Sequence, residues 1–195
     1  DGDKLVRASN LLRTACAEGN PPGAVLLVSR HGKVVLHEAF GHAMLVPERR
    51  PMTKDTLFDL ASVTKAVATA TSLLVLLERG EIGLDEPICS HFPEFGKRGY
   101  DTSRKDEVTV WHLLTHTSGL PRWRPMYLLA RGTDDTVAAI CDLDLEADPG
   151  ERVAYSCLGF MLLGELVRRV SGVGLDAFAR DNIFEPLGMA NTMFN

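Results

Sequence analysis

An apolar run from Ala66 to Leu77, preceded by the motif Ser62-x-x-Lys65, constrains this chain more than any other feature. Nearly every position of the run is apolar or small, which predicts a buried helix whose first turn is held rigidly. On a helix, a lysine three residues after a serine lies on the same face, one turn further along. A serine hydroxyl needs a neighbouring base to become an effective nucleophile. The spacing therefore predicts a nucleophile and its partner at the start of a buried helix.

The four residues of this motif also have a purely structural interpretation. Serine is a preferred helix-capping residue, so Ser62 would cap the helix and Lys65 would be exposed. A bare S-x-x-K also arises by chance in a chain of 195 residues. Other parts of the sequence must decide between the two interpretations.

Three segments downstream decide, because they carry motifs that occur together in one family. They are TVWHLLTHTSGLP at 109–121, PGERVAYSCLG at 149–159 and IFEPLGMANTMF at 183–194. In order and approximate spacing, from about Pro22 to Phe194, the chain resembles the serine β-lactamase and penicillin-binding-protein-like hydrolases, specifically the branch of class C lactamases and esterases. The resemblance implies an α/β (α+β) fold, in which an antiparallel sheet layer, incomplete here, carries a mainly helical lobe.

The resemblance also assigns chemical roles to three side chains. Ser62 would be the acylated nucleophile and Lys65 its partner, while Tyr155, in the place of the tyrosine of the family's Y-x-N motif, would shuttle the proton. A cation about 4 Å from a phenol at an effective dielectric near 20 contributes roughly 4 kcal/mol, on the order of three pKa units before desolvation. Lys65 would thus bring the Tyr155 phenolate within range of a general base. Whether Tyr155 or Lys65 takes the proton stays open, and the structural alternative is an ordinary buried tyrosine before a helix.

Position 157 departs from the family pattern, because a cysteine stands where lactamases and peptidases usually carry the asparagine of Y-x-N. The side-chain oxygen of that asparagine accepts from the lysine and its amide nitrogen donates to the amide carbonyl of the substrate, whereas a thiol is only a weak donor. We therefore expect Cys157 to be a substrate-binding residue that favours esters over β-lactams or peptides. The alternative is a small buried residue at the start of a helix. Trp123 and Tyr127, in the irregular segment after the Ser-Gly-Leu turn, would line the acyl pocket or simply cover the helical lobe.

The family's third motif, K-T-G or a histidine variant, has no match in the sequence, which ends at Asn195. The resemblance implies that the missing strand supplies a donor of the oxyanion hole and that further strands close the sheet. We therefore expect the N-terminal part of a family member: a fragment, a processed chain that needs a partner, or a sequence whose remainder is missing. The hairpin would then pair with a missing C-terminal segment or with a second chain.

The local patterns predict two parts, 1–61 and 62–195, with Ser62 at their junction. The resemblance to the family implies that the substrate cleft lies between them. The first part is predicted to contain a helix at 3–18 and an antiparallel hairpin of strands 23–29 and 33–40. From Ser62 onward the pattern is helical. The predicted helices are at about 63–79, 108–115, 134–141, 157–170 and 175–184.

Composition limits the partners of the chain. A net charge of −5 argues against a nucleic-acid or anionic-membrane surface. The longest apolar run is too short to span a bilayer. No signal peptide is apparent, so the protein is expected to be cytoplasmic or exported with its leader removed. Four widely spaced cysteines indicate no zinc ribbon, although one disulfide is left open, and no cofactor is expected.

Two further motifs were weighed as binding sites. His112 and His116 stand one helical turn apart, as metal ligands do, but no third ligand has suggestive spacing. The plain interpretation is a helix end whose turn over 115–120 supports the cleft. Gly172-Val-Gly-Leu-Asp-Ala177 matches G-x-G-x-x-A, yet a helical rather than a strand pattern precedes it, so we interpret the glycines as a helix stop and restart.

The leading hypothesis is a metal-independent serine hydrolase that works through an acyl-enzyme on a small acyl substrate. Small carboxylic esters rank first as substrates, β-lactams second and D-alanyl peptides third. The rival hypothesis, from a different class, is a catalytically incomplete domain that serves only in binding or assembly.

Overall fold

The computed structural model describes residues 1–96 and 104–194. The chain divides into two compact units, Asp1–Asp59 and Leu60–Asn195. The lobes predicted at 1–61 and 62–195 stay a prediction, as does the cleft between them. The first unit holds the strands and one helix, and the second unit is mainly helical.

The first unit packs one helix on a three-stranded antiparallel sheet. Helix α1 covers Gly2–Ala17, and strands β1, β2 and β3, adjacent in that order, cover Gly23–Arg30, Lys33–Met44 and Arg50–Pro51. The turn between β1 and β2 has φ of 49° at His31 and 72° at Gly32, the left-handed backbone that a tight hairpin needs. The predicted helix and hairpin are confirmed; β2 runs four residues beyond its predicted end at residue 40, and β3 was not predicted.

The second unit contains six α-helices within the described residues. They are α2 (Thr71–Glu78), α3 (Val110–Leu114), α4 (Met126–Leu129), α5 (Thr133–Cys141), α6 (Cys157–Ser171) and α7 (Leu175–Ala179). A π-helical segment precedes α2 at Lys65–Ala70, and another follows α7 at Arg180–Phe184. All five predicted helices are present, two of them with π-helical turns, and α4 was missed because a single turn carries too little periodicity to be recognised.

Helix α6 is central to the second unit and contacts α2, α3, α5 and α7. Its apolar stripe is completely buried: Leu158, Leu162, Leu163, Leu166 and Val167. The helix begins after Ser156, whose hydroxyl accepts from the N–H of Gly159, and it ends at Gly172 in the left-handed conformation with φ 78°. The interpretation of Gly172 as a helix stop is therefore confirmed. A helix held so firmly also fixes the residues just before it, among them Tyr155.

Residues 1–96 and 104–194 contain neither a candidate membrane-spanning helix nor a disulfide bond. No helix there is both long and apolar enough to cross a bilayer. All four cysteines have free thiols, so the disulfide left open by the sequence does not form. Burial raises the pKa of the Cys141 thiol to about 12, which keeps that group protonated and unreactive near neutral pH.

Candidate active site

Ser62 lies in a tight turn that leads directly into the π-helical segment. The N–H of Val63 donates to the carbonyl of Leu60 at 2.9 Å, and the N–H of Lys65 donates to the carbonyl of Ser62 at 3.1 Å. Ala61 has a φ of 44°, a left-handed conformation that is uncommon outside glycine. Strained backbone of this kind clusters at active sites, where the surrounding structure holds it in place. The turn presents the Ser62 side chain on an exposed surface.

Three side chains predicted from the sequence meet at one oxygen atom. The phenol of Tyr155 donates to Ser62 Oγ at 2.9 Å, and Lys65 Nζ donates to the same oxygen at 3.4 Å. Lys65 Nζ also lies 5.2 Å from the centroid of the Tyr155 ring. The hydroxyl of Ser62 therefore contacts both groups that could take its proton, instead of serving as a simple helix cap.

The π-helical geometry after Ser62 was not anticipated from the sequence. The hydroxyl of Thr71 donates to the carbonyl of Ala66, five residues earlier, at 2.8 Å. Short π-helical segments occur frequently at functional sites, where they displace one residue relative to a regular helix. Lys65 is the first residue of the segment.

The surroundings of Tyr155 lower the pKa of its phenol below the ordinary value of 10. The hydrogen bond with Ser62 is the largest cause, and the hydrogen bond and charge of Lys65 act in the same direction, while burial opposes them. The sequence predicted this direction with the Lys65 charge as its origin. In the structure, the hydrogen bond with Ser62 lowers the Tyr155 pKa more than Lys65 does, because the phenol oxygen lies 2.9 Å from the serine oxygen.

The strand-like segment that carries Tyr155 is held by the turn after α3. Ala154 donates its N–H to the carbonyl of His116 at 2.8 Å, and Ser156 donates its N–H to His116 Nδ1 at 3.1 Å. The buried hydroxyl of Ser156 donates to the carbonyl of Pro121 at 2.7 Å. The motif at 109–121 therefore acts as a scaffold for the segment at 149–159.

Gly119 allows the segment at 109–121 to approach the backbone of Ala147 closely. It has a φ of 79°, and a methyl group added at its Cα would overlap the carbonyl oxygen of Ala147. We expect Gly119→Ala to reduce the free energy of unfolding by about 2–3 kcal/mol, as urea denaturation would show. Gly172→Ala is the matched control, because Gly172 has nearly the same φ with open space around it, so its loss should be only about 1 kcal/mol. Equal losses of unfolding free energy in the two variants would show that the overlap with Ala147 does not destabilise Gly119→Ala.

Cys157 is the first residue of α6 and is half-buried. Its N–H donates to the carbonyl of Arg122 at 3.0 Å, which places it in the same scaffold as Tyr155. The Cys157 thiol weakly raises the pKa of the Tyr155 phenol, opposing the effect of Lys65. The structure therefore brings Cys157 to the site, while its effect on substrate choice stays a prediction.

Trp123 and Tyr127 form an exposed aromatic pair whose ring centroids are 6.5 Å apart. Tyr127 lines a largely apolar cavity of about 660 Å³, together with Phe160 and Met161. The centroid of the Phe160 ring lies 5.9 Å from Lys65 Nζ, although Lys65 itself does not line the cavity. Acyl binding by Trp123 and Tyr127 stays a prediction, and Phe160 is a neighbour of the site that the sequence analysis missed.

His116 is the second residue that sequence reasoning missed as part of the site. Its ring lies 4.6 Å from the Tyr155 ring and 5.0 Å from the Phe160 ring, measured between centroids. Burial lowers the pKa of His116 below 6.5, and the charge of Lys65 adds to this effect, so the imidazole is neutral near pH 7. The available signals were its place inside a matched motif and in the turn over 115–120 that was expected to support the cleft.

His112 and His116 both accept hydrogen bonds from backbone amides. His112 Nδ1 accepts from the N–H of Thr109 at 3.1 Å, and His116 Nδ1 accepts from Ser156. Across the described ranges, 1–96 and 104–194, no group of three or more histidine, cysteine or acidic side chains is arranged to hold a metal ion.

Known proteins resemble this chain in sequence over most of its length. A family model described as Beta-lactamase matches residues 8–195. Esterase EstB of Burkholderia gladioli is 37% identical over 190 residues, covering 88% of this chain and 47% of the esterase. A putative D-alanyl-D-alanine carboxypeptidase of Escherichia coli (strain K12) is 32% identical over 189 residues, covering 89% of this chain and 43% of that protein.

A solved class C beta-lactamase has the same fold over nearly all of this chain. Its TM-score is 0.78 at 27% identity, and the match covers 93% of this chain and 48% of the other. The fold class predicted from the sequence is therefore confirmed. The chain spans about half the length of the curated relatives it matches.

Proposed function

This chain belongs to the beta-lactamase family, as the sequence motifs predicted, and on that premise we propose that it is a serine hydrolase that acts on carboxylic esters through an acyl-enzyme. The contact that carries the proposal is the 2.9 Å hydrogen bond between the Tyr155 phenol and Ser62 Oγ, with Lys65 on the same oxygen. Ester hydrolysis has the further support of the similarity to esterase EstB.

In the first half-reaction, Ser62 Oγ transfers its proton to the oxygen of the Tyr155 phenolate and attacks the carbonyl carbon of the ester. The Lys65 ammonium stabilises the phenolate beforehand, which makes Tyr155 a base of useful strength. The backbone N–H of Ser62 donates to the developing oxyanion. When the bond to the leaving oxygen breaks, Tyr155 returns the proton to that oxygen, and the acyl group stays on Ser62.

In the second half-reaction, a water molecule replaces the departed alcohol. Tyr155 takes a proton from this water, whose oxygen attacks the acyl carbon. The bond between that carbon and Ser62 Oγ then breaks, and the serine oxygen recovers its proton from Tyr155. The products are a carboxylic acid and the free enzyme, so atoms and charges balance without a cofactor.

Ester preference is proposed to come from Cys157. A thiol is a weak donor, so Cys157 gives little stabilisation to an amide carbonyl. We expect Cys157→Asn to raise the ratio of kcat/KM for the β-lactam nitrocefin to kcat/KM for p-nitrophenyl butyrate by roughly 10-fold, the value of about one hydrogen bond. Cys157→Ala removes the thiol without adding a donor and should leave the ratio within about 2-fold. An unchanged ratio in Cys157→Asn would show that position 157 does not select the substrate.

A fluorophosphonate probe tests the nucleophile directly. Activated Ser62 should displace fluoride and form an oxygen–phosphorus bond, which intact-mass analysis of the folded protein would detect and peptide mapping would locate. The adduct should be lost completely in Ser62→Ala and retained in Ser29→Ala, an exposed serine of β1. An adduct that survives Ser62→Ala, or no adduct on the folded wild type, would favour the rival hypothesis of a non-catalytic binding or assembly domain.

A further inference from the structure

We infer that His116 is a positioning residue, which holds the Tyr155 phenol against Ser62 by fixing the backbone on both sides of Tyr155. The inference rests on the proposed function, because it assigns His116 a role in the same proton transfer. His116 is not one of the three reacting groups, Ser62, Lys65 and Tyr155. It acts on the reaction only by positioning Tyr155.

The first step is the pair of hydrogen bonds that surround Tyr155. The carbonyl of His116 accepts from the N–H of Ala154 at 2.8 Å, and its Nδ1 accepts from the N–H of Ser156 at 3.1 Å. One residue thereby binds the amides immediately before and immediately after Tyr155. With both amides held, the direction in which the Tyr155 side chain leaves the backbone is restricted.

The second step is the packing of the rings. The imidazole of His116 lies 4.6 Å from the Tyr155 ring at an interplanar angle of 44° and 5.0 Å from the Phe160 ring at 37°. Aromatic pairs at such distances stabilise each other beyond simple burial. Because Phe160 belongs to the central helix α6, the imidazole connects the Tyr155 ring to a rigid element.

The third step concerns the conformation of His116 itself. Its φ is 59°, in the left-handed region that asparagine, aspartate and histidine adopt more readily than other side chains. Only an unprotonated Nδ1 can accept from Ser156, and burial of the ring favours this neutral form. Backbone geometry, ring packing and protonation therefore agree on one orientation of His116.

Two variants at this position separate positioning from mere packing. His116→Phe keeps an aromatic ring but loses the acceptor for Ser156, whereas the amide oxygen of His116→Asn replaces that acceptor and asparagine tolerates the left-handed φ. With p-nitrophenyl butyrate, we expect His116→Phe to lower kcat by about 10- to 100-fold with little change in KM. His116→Asn should stay within about 3-fold of the wild type.

His112 supplies the matched controls, because its Nδ1 also accepts a backbone amide, from Thr109, at 3.1 Å. His112→Phe and His112→Asn should have kcat values close to that of the wild type, even where thermal unfolding shows a similar loss of stability. A kcat loss in His112→Phe equal to that in His116→Phe, or equal losses in His116→Phe and His116→Asn, would overturn the inference.

A measurement without turnover keeps the inference testable if the isolated chain proves inactive. In protein labelled with ¹³C at the tyrosine ζ carbon, the Tyr155 resonance, assigned with Tyr155→Phe, reports the phenol pKa. We expect His116→Phe to raise that pKa towards 10, because Tyr155 loses its contact with Ser62, and His116→Asn to leave it unchanged. A folded wild-type protein that forms no adduct with the fluorophosphonate probe would contradict only the proposed function. A Tyr155 pKa that is the same in wild type and folded His116→Phe would contradict the role of His116.

Discussion

Tyr155→Phe is expected to lower kcat for ester hydrolysis by about 100- to 10,000-fold, the range that a positioned acid–base group contributes. The substitution removes only the hydroxyl that lies 2.9 Å from Ser62 Oγ. The phenylalanine ring retains the contact with His116, so the fold and KM should change little. Steady-state kinetics with p-nitrophenyl butyrate, together with thermal unfolding of both proteins, would measure the effect.

The pH profile of Tyr155→Phe provides a second test of the same role. The Tyr155 pKa lies below 10 in the folded protein, and the phenolate is the form that accepts the serine proton. The wild-type rate should therefore rise as the pH increases through this pKa and fall as the pH decreases below it. The rising limb should be absent in Tyr155→Phe. If kcat of Tyr155→Phe stays within about 3-fold of the wild-type value and its pH profile keeps the rising limb, then Lys65 rather than Tyr155 takes the proton.

Lys65→Met is expected to lower kcat at pH 7 by about 100- to 1000-fold. The substitution removes the ammonium that donates to Ser62 Oγ at 3.4 Å and lies 5.2 Å from the Tyr155 ring centroid. Without the hydrogen bond and charge of Lys65, the phenol pKa should rise even though the hydrogen bond with Ser62 stays, and less phenolate is present at pH 7. Each unit of increase reduces the phenolate fraction by about 10-fold.

The pH profile distinguishes this explanation from simple misfolding. A raised phenol pKa moves the rising limb of kcat to higher pH, so part of the lost rate should return above about pH 9. Lys4→Met, at an exposed lysine of α1 that pairs with Asp1, is the matched control and should leave the profile unchanged. If Lys65→Met is slow at every pH and the rising limb of its kcat–pH profile does not move, Lys65 does not act through Tyr155.

Much of this site could be predicted from local sequence. The apolar run at 66–77 and its preceding serine and lysine predicted a buried helix at 63–79; the structure is helical from Val63 to Glu78, but only one face is buried and Leu74 is exposed. Tyr155 came from a motif next to a helix start that the structure places at Cys157. The helix depends on residues within a turn or two of one another, so periodicity and spacing are sufficient to detect it, whereas the choice of Tyr155 rested on the resemblance to the family.

Other features depend on contacts between distant segments and left no periodic signal. The π-helical turn at Lys65–Ala70, the two residues of β3 and the single turn of α4 are too short or too irregular for pattern analysis. The need for glycine at position 119 arises from the carbonyl of Ala147, which local propensity cannot represent. The hydrogen bonds of His112 and His116 to the backbone amides of Thr109 and Ser156 likewise left no signal in the spacing of the two histidines.

The amino-acid sequence by itself determined the family and the helical or extended character of most local segments, because these depend on residue type and short-range spacing. Tertiary structure alone decided that a phenol 93 positions along the chain donates to the serine oxygen. It also brings the ring of His116 to within 4.6 Å of that phenol ring, measured between centroids. The physical reason is that a hydrogen bond depends on distance and direction in space, and packing around α6 sets both.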